Sequence, residues 1–470
     1  MGRERRFMKA TLVTGEVISC VDEPIAEGGE AVIYLSSDRR RVVKLYWPHV
    51  QTPELRRTLD RILDKYNVPR RNPEAAHLFA WPDGIVVEQD GRPTLGVSMP
   101  FKPDHRPLLQ HVTLKWWRDK VPESEKQYGW IRRLTICYRM ARAVMALNNS
   151  GLAHSDLGPK NVLVNMESAS TVVIDCDGLV VPDVQPAKVL GTPWFMAPEI
   201  VSSGGLTLPN IRTDRHSLAV LIYMTLLLRH PLRGPKVHEN DPEADDILAQ
   251  GDRALYIEHP TDKSNALHPP GIDASTLTPR VQQLFKTAFV DGLQHPDLRP
   301  KPTDWEAALK RMIDRTVPCA NRDCPMKSFV LPEQHNPKCP WCGTPYRDPS
   351  GSFPLLRLYR PGHRKGNYEQ DGWEVVGFSG RKLMPHHADP NIDPRLDIQD
   401  MEIARIHYQG GRWMLLNTSP SQSFLLLTPA NGLSRLIPSG DSCELRDGVR
   451  VVLGQLNDNR MVYVTNVQTS

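Results

Sequence analysis

The chain lacks any uncharged apolar run approaching a membrane span, so no transmembrane helix is expected. It also lacks a long apolar stretch behind its basic start, MGRERRFMKATLV, which makes that start a poor signal peptide. Charge of one sign is scarce: 58 Lys and Arg against 54 Asp and Glu leave only +4 over 470 residues. No long basic stripe appears, so nucleic-acid binding is not expected. Cysteine is sparse, with eight residues, and four of them cluster as Cys319, Cys324, Cys339 and Cys342. The others, Cys20, Cys137, Cys176 and Cys443, are scattered. A long chain with no secretion signal and clustered cysteines reads as a cytoplasmic protein with a metal site, not a disulfide scaffold.

What is present fits a soluble globular protein, with 40% hydrophobic and 24% charged residues. The length exceeds what one core normally serves, so two or three domains are expected.

The most informative stretch is 154–199. His154-Ser155-Asp156 is followed by Asn161, and two strand-like runs, 161–165 and 171–174, lead to Asp175. Gly191-Thr192-Pro193 and Ala197-Pro198-Glu199 close the stretch. An isolated Asp or Asn in a loop is usually a turn former. The ordered set suits phosphoryl transfer, which needs positioning and charge neutralisation more than covalent help. Asp156 suits a carboxylate that orients a hydroxyl and takes its proton. Asn161 and Asp175 offer hard oxygens to Mg²⁺.

This set resembles the catalytic loop, metal-binding Asp and activation segment of eukaryotic-like Ser/Thr protein kinases. The resemblance covers about residues 12–315. It implies an α+β, bilobal fold, with an N-lobe at 1–105 and a C-lobe at 106–315, and it implies ATP with Mg²⁺ or Mn²⁺. In the N-lobe, 12–20 reads as a strand. Residues 25–34 resemble the glycine-rich loop, with Gly28 and Gly29 at its tip and alanines, Ala26 and Ala31, at two usual glycine positions. Residues 41–46 read as a strand whose Lys44 matches the lysine contacting the α- and β-phosphates. Residues 53–66 have helical spacing, with Leu55, Leu59, Ile62 and Leu63 on one face. That helix should supply the carboxylate partner of Lys44. Glu54 is its only Glu, and Asp60 and Asp64 are shorter alternatives. Runs 84–88 and 94–103 read as paired strands. Met99 would guard the adenine pocket, and Pro100-Phe101-Lys102 would offer backbone groups to the base.

In the C-lobe, 130–150 reads as a long helix ending at a Gly151 cap. Ser155 stands where an Arg is usual, and Gly158 where a Lys is usual; Lys160 is the nearby substitute. Asp177 stands where the metal motif has Gly. Asp175 is preferred over Asp177 as the ligand because it directly ends the apolar run 172–174. The resemblance implies that Thr192 contacts the catalytic Asp, that Glu199 pairs with Arg299, and that Asp214 holds the catalytic-loop backbone. Residues 236–269 read as an insertion or long loop. Residues 81–84 and 96–100 further resemble bacterial kinases of tellurite-resistance-type stress operons. Members of that group act with a PP2C-type phosphatase and a von Willebrand A protein.

Cys319-x4-Cys324 and Cys339-x2-Cys342 read as a structural Zn²⁺ ribbon over 316–350. His335 lies between the pairs and is the alternative ligand. Beyond it, over 351–470, short apolar runs recur between turns at 355–359, 373–377, 403–408, 413–417, 424–427, 434–437, 450–453 and 461–464. They predict an all-β sandwich or barrel. Residues 445–454 and Gly380-Arg381 resemble forkhead-associated domains. His386-His387 and Asn417-Thr418-Ser419 match that family's phosphothreonine-reading residues only loosely, and a partner-docking module is an equal reading.

Two functions follow. One is an ATP- and Mg²⁺-dependent Ser/Thr kinase acting on protein substrates, with the ribbon and β module for docking. The other is a pseudokinase scaffold that binds nucleotide, favoured by Gly158, Asp177 and the altered glycine loop.

Overall fold

The computed structural model describes residues 7–468 except 114, 116–118, 123–128, 183, 185–190, 269–273, 332–336, 347–350, 365, 393–401 and 428–433. The chain forms two compact units. The first comprises Met1–Lys126, Ile136–Ala274 and Pro279–Glu306; the second comprises Gln127–Thr135, Ser275–Thr278 and Ala307–Ser470.

The first unit begins with a seven-stranded antiparallel sheet ordered β2-β1-β6-β7-β5-β4-β3. Its strands are β1 (Phe7–Leu12), β2 (Val17–Val21), β3 (Ala26–Glu27), β4 (Ala31–Leu35), β5 (Arg41–Tyr46), β6 (Gly84–Gln89) and β7 (Arg92–Pro100). The expected strand at 12–20 is instead the turn and second arm of the β1–β2 hairpin. Gly15, at φ +86°, reverses the chain there. In β1 the alternate residues Met8, Ala10 and Leu12 are buried, as period-2 burial requires. A Cβ at Gly96 would stand 2.5 Å from the Lys44 carbonyl oxygen, so glycine lets β7 lie against the strand carrying that lysine.

Helix α1 (Pro53–Leu63) starts where the Thr52 side chain accepts the Leu55 N–H at 3.1 Å, with Pro53 in the first turn. It buries Leu59 and Ile62 in a cluster with Val97, Met99, Leu147, Val173 and Cys176. A four-residue helix, α2 (Val68–Arg71), follows.

The rest of the first unit is mostly helical. Strand β8 (Arg106–Pro107) precedes α3 (Gly129–Asn149), whose residues through 135 belong to the second unit. Gly151, at φ +73°, ends that helix in the left-handed region, as a C-cap does. The hairpin β9 (Val162–Asn165) and β10 (Ser170–Val173) then carries the chain to Asp175. Helices α4 (Pro198–Ser202) and α5 (Ile211–Leu227) follow, and the described side chains of α5 from Ser217 to Leu227 are all buried. The segment 236–269, expected as a loop, contains α6 (Pro242–Gln250). Its signal is a cap rather than periodicity: Asp241 accepts the Ala244 N–H at 2.8 Å, and Pro242 sits at the first helical position. Helices α7 (Pro279–Lys286) and α8 (Pro302–Asp314) complete the set, the residues of α8 from Ala307 onward belonging to the second unit. Among the described residues, no helix is long and apolar enough to cross a membrane.

In the second unit, β11 (Thr316–Pro318) and β12 (Ser328–Val330) form a hairpin. The remainder is two antiparallel sheets with one core. One is ordered β14-β13-β22-β21-β18-β19, from β13 (Ser352–Pro361), β14 (Tyr368–Val376), β18 (Phe424–Leu427), β19 (Ser434–Ile437), β21 (Arg450–Val452) and β22 (Met461–Gln468). The other is ordered β15-β16-β17-β20, from β15 (Lys382–Leu383), β16 (Ala404–Gln409), β17 (Arg412–Asn417) and β20 (Ser442–Glu444). Leu356, Val375 and Val462 of the first meet Ile406, Leu415 and Cys443 of the second. A one-turn helix, α9 (Pro385–Ala388), precedes β16.

Candidate active site

The loop from Ala153 to Asn161 is fixed from both sides. The Asp214 carboxylate of α5 accepts the His154 N–H at 2.7 Å, and the His154 Nε2 lies 2.8 Å from the Ile174 carbonyl. Burial pushes the Asp214 carboxyl up to about 6, against the pull of the His154 and Ser155 amides. Ser155 and Asp175 both sit at φ +63°, a conformation that costs a non-glycine residue energy and collects at functional sites.

Asp156 stands at the centre. Its Oδ1 accepts from Thr192 Oγ1 at 2.7 Å and its Oδ2 from Asn161 Nδ2 at 2.9 Å. The Asn161 amide nitrogen also reaches the Asp156 carbonyl at 2.9 Å. With both amide protons so used, the Asn161 oxygen is the end left to a cation. Lys44 Nζ lies 2.6 Å from Asp175 Oδ1 and 2.7 Å from Asp177 Oδ2. Burial alone would lower the lysine's pKa, but Asp177 and then Asp175 outweigh it and hold the amine charged. Burial raises the Asp175 carboxyl and Lys44 lowers it, and the net direction is down. One Asp175 oxygen and the Asn161 oxygen are therefore a donor set suited to Mg²⁺. A cavity of about 550 Å³ lies among Lys44, Tyr46, Thr58, Asp156, Asp175 and Asp177.

Gly28 and Gly29 cap the β3–β4 hairpin and are exposed. A Cβ on Gly29 would meet nothing within 4 Å, so open space rather than backbone angle marks this tip. Met99 is buried in β7, opposite Val42. Phe101 departs from expectation: its N–H is bound to the Arg40 carbonyl at 2.9 Å, and Pro100 has none. The Lys102 carbonyl accepts the His105 N–H at 3.3 Å, which leaves the Phe101 carbonyl and the Lys102 N–H of this segment to a base. Lys160 is exposed.

Glu54 is not the partner of Lys44. Its carboxylate pairs with Arg57 on its own helix at 2.6 Å, Asp60 pairs with Arg56 at 3.1 Å, and Asp64 is exposed. Lys44 binds Asp177 instead, whose Oδ2 also accepts from the Tyr46 hydroxyl. Tyr46 escaped the sequence reading; its one signal was a polar tip two residues past Lys44 in an apolar strand.

Arg299 grips Glu199 bidentately, at 2.8 and 2.7 Å, and donates to the carbonyls of Gly292, Leu293 and Arg212. In the same segment Trp194, at φ +70°, lies under the Arg233 guanidinium at 4.3 Å.

In the second unit the four clustered cysteines converge. Cys319 and Cys342 Sγ are 3.6 Å apart, and Cys324 and Cys339 Sγ 3.7 Å. All four sulfurs lie within 4.8 Å of one another. Tetrahedral zinc with Zn–S near 2.3 Å sets sulfurs about 3.8 Å apart, so the set fits Zn²⁺. His335 lies outside the described residues. Trp341 of this turn packs against Trp130 with ring centroids 5.1 Å apart and the rings tilted by 49°, and the Trp130 backbone N–H donates to the Met326 carbonyl at 2.7 Å. Asp314, His386 and His387 also converge, and hydrogen bonds hold Asp314 and His387. His387 Nδ1 accepts the Met384 N–H at 2.8 Å, so its proton sits on Nε2, 3.0 Å from the Asp314 carboxylate. Asp314 also accepts from Trp373 Nε1 at 2.8 Å.

The forkhead-like residues are turned inward. The buried Arg381 guanidinium donates to the Val376, Asp314 and Thr316 carbonyls. The buried Asn417 amide donates to the Gln422 and Ile437 carbonyls. His386 and His387 are buried. None of the four side chains is presented to a phosphate.

Comparison with known proteins agrees with this geometry. Residues 117–287 match the family model described as the protein kinase domain. The serine/threonine-protein kinase PknD of Chlamydia felis is 26% identical over 158 residues, covering 28% of this chain and 16% of its own length. The serine/threonine-protein kinase pkn2 of Myxococcus xanthus is 32% identical over 113 residues, covering 22% and 13%. The chain thus spans less than a fifth of the length of these relatives. Among solved structures, the ROP18 kinase domain in complex with AMP-PNP and sucrose aligns over 66% of this chain and 84% of its own, at 17% identity and TM-score 0.44. The matched segment, which is similar to the protein kinase domain, holds His154, Asp156, Asn161, Asp175 and the 191–199 stretch around one cleft.

Proposed function

We propose that the chain is an ATP- and Mg²⁺-dependent protein kinase that transfers the γ-phosphate to serine or threonine hydroxyls of proteins. The observation that carries this is the Asp156 carboxylate, held between Thr192 and Asn161 at 2.7 and 2.9 Å beside Asp175. Asp156 orients the substrate hydroxyl and takes its proton as the oxygen bonds to phosphorus and ADP leaves. Lys44 holds the phosphates, and Asn161 and Asp175 hold Mg²⁺, which neutralises charge on them. Gly28 and Gly29 cover the phosphates, and Met99 with the segment after it faces the adenine.

The Cys319, Cys324, Cys339 and Cys342 set holds a structural Zn²⁺; four thiolates leave no position open for catalysis. The ribbon and the β domain dock proteins. A PP2C-type phosphatase and a von Willebrand A protein are the partners proposed, in a cytoplasmic stress response.

The test is transfer from labelled ATP with Mg²⁺ or Mn²⁺, to the protein itself and to a generic basic protein, by wild type and Asp156→Ala. Label in the first and none in the second supports the kinase. A second reading is a nucleotide-binding scaffold, favoured by Gly158 in place of a lysine at the γ-phosphate. It wins if neither protein transfers label while ATP still raises the melting temperature.

A further inference from the structure

A buried amine on a central strand is unstable unless a carboxylate is fixed against it. In kinases that carboxylate comes from the helix after the lysine strand. Here α1 supplies none, since among the described residues Glu54 and Asp60 are bonded to arginines of their own helix. The space between Lys44 and α1 is cavity, bordered by Glu54, Leu55 and Thr58, and the Glu54 carboxylate there is taken by Arg57 at 2.6 Å.

We propose that Asp177 is the positioning carboxylate of Lys44, so that the turn carrying Asp175, rather than the orientation of α1, sets the lysine for nucleotide phosphates. This rests on the kinase reading of the site. Asp177 is 1% exposed, and the Lys44 side chain beside it is 11% exposed. Its Oδ2 holds both Lys44 and the Tyr46 hydroxyl, and its Oδ1 has no protein partner. It lies in the tight turn Cys176–Gly178, directly after Asp175 in its left-handed conformation. The lysine therefore has two carboxylates from one turn. Asp175 can turn to a divalent cation without stranding the amine, because Asp177 stays with it. Anchor and metal ligand move as one body.

The test is a double-mutant cycle on the full chain, with Lys44→Ala, Asp177→Asn and both together. Affinity for a fluorescent ATP analogue is read with and without Mg²⁺, beside phosphate transfer. Asp177→Asn is expected to weaken nucleotide binding and transfer by about tenfold or more. The double variant should fall within about twofold of Lys44→Ala alone, because Asp177 acts through the lysine. A residue that merely supports the fold would add its cost to that of Lys44→Ala, and additive losses overturn the proposal. A combined Glu54→Gln, Asp60→Asn, Asp64→Asn variant should match wild type; a large loss there overturns it too, and decides the matter even if Asp177→Asn does not fold. Wild type that binds nucleotide but never transfers phosphate defeats the kinase reading, while the affinity cycle still judges Asp177. Wild type that binds no nucleotide defeats both.

Discussion

Thr192 donates its hydroxyl to the Asp156 carboxylate at 2.7 Å, which ties the activation segment to the catalytic loop across 36 residues. A hydrogen bond to a charged group is worth about 1.5–3 kcal/mol, or about 10- to 100-fold in rate. Thr192→Val should lower kcat by that range with little change in KM for ATP, and Thr192→Ser should keep most of the activity. Steady-state phosphate transfer measures both. A fall in ATP affinity equal to the fall in kcat would place Thr192 on the nucleotide instead.

Arg299 and Glu199 should respond unequally to mutation. The Arg299 side chain is 0% exposed and serves three carbonyls besides the carboxylate, whereas Glu199 is 25% exposed and can turn to water. Arg299→Ala should cost about 3–5 kcal/mol, the usual result of breaking a buried pair. Glu199→Gln keeps an acceptor and should cost less. Melting temperature with and without ATP separates the two, and equal losses would show that the carbonyl bonds contribute nothing.

Metal analysis of the purified chain should find one zinc per molecule. Cys324→Ser or Cys339→Ser should lose it, since both thiols are buried in the cluster. Chelation should abolish hydrogen-exchange protection in the hairpin of β11 and β12, because a segment this short draws its folding free energy from the metal. Protection that survives a complete loss of zinc would mean that the ribbon folds on apolar contacts alone.

The β domain should weaken in mild acid. Burial first, then the neighbouring His387, Lys310 and Arg460, push the His386 imidazole down to about 2, with Asp314 pulling the other way. An unfolded histidine titrates near 6.5. Below that pH the unfolded chain takes a proton that the folded chain refuses, so stability falls as pH drops from about 6.5 toward 2. The Asp314 carboxyl, held down near 2, adds its own loss only at lower pH, below about 4. His386→Phe should therefore narrow the gap in melting temperature between pH 7 and pH 5. An unchanged gap would remove His386 as its source.

Much of the site was legible because its chemistry is written in short, rigid spacings. His154, Asp156, Asn161 and Asp175 lie on one loop and one hairpin, so sequence distance fixes spatial distance closely. The eight apolar runs of the β domain were legible for the same local reason, since each shows within its own strand. β15 and β20 each hold a single apolar residue, Leu383 and Cys443, and so show no run. The partner of Lys44 was not legible. Helical position pointed to Glu54, but Arg57 stands one turn away and takes its charge, while the true partner lies 133 positions along the chain from Lys44. The inward turn of Arg381 and the contacts among Asp314, Trp373 and His387 are likewise set by packing, which leaves no mark on local pattern.

The pairing of Lys44 with Asp175 spans 131 residues and so bears on the order in which the chain is made. The last strand of the seven-stranded sheet ends at Pro100, long before Asp175 leaves the ribosome. Until then the sheet carries a central lysine with neither counter-charge, and closing over it would strand a buried cation. The N-terminal lobe should therefore stay loose during synthesis and tighten only when the turn at 175–178 arrives. A nascent chain halted before residue 175 should be readily cut by protease within the sheet, and one released beyond it should resist.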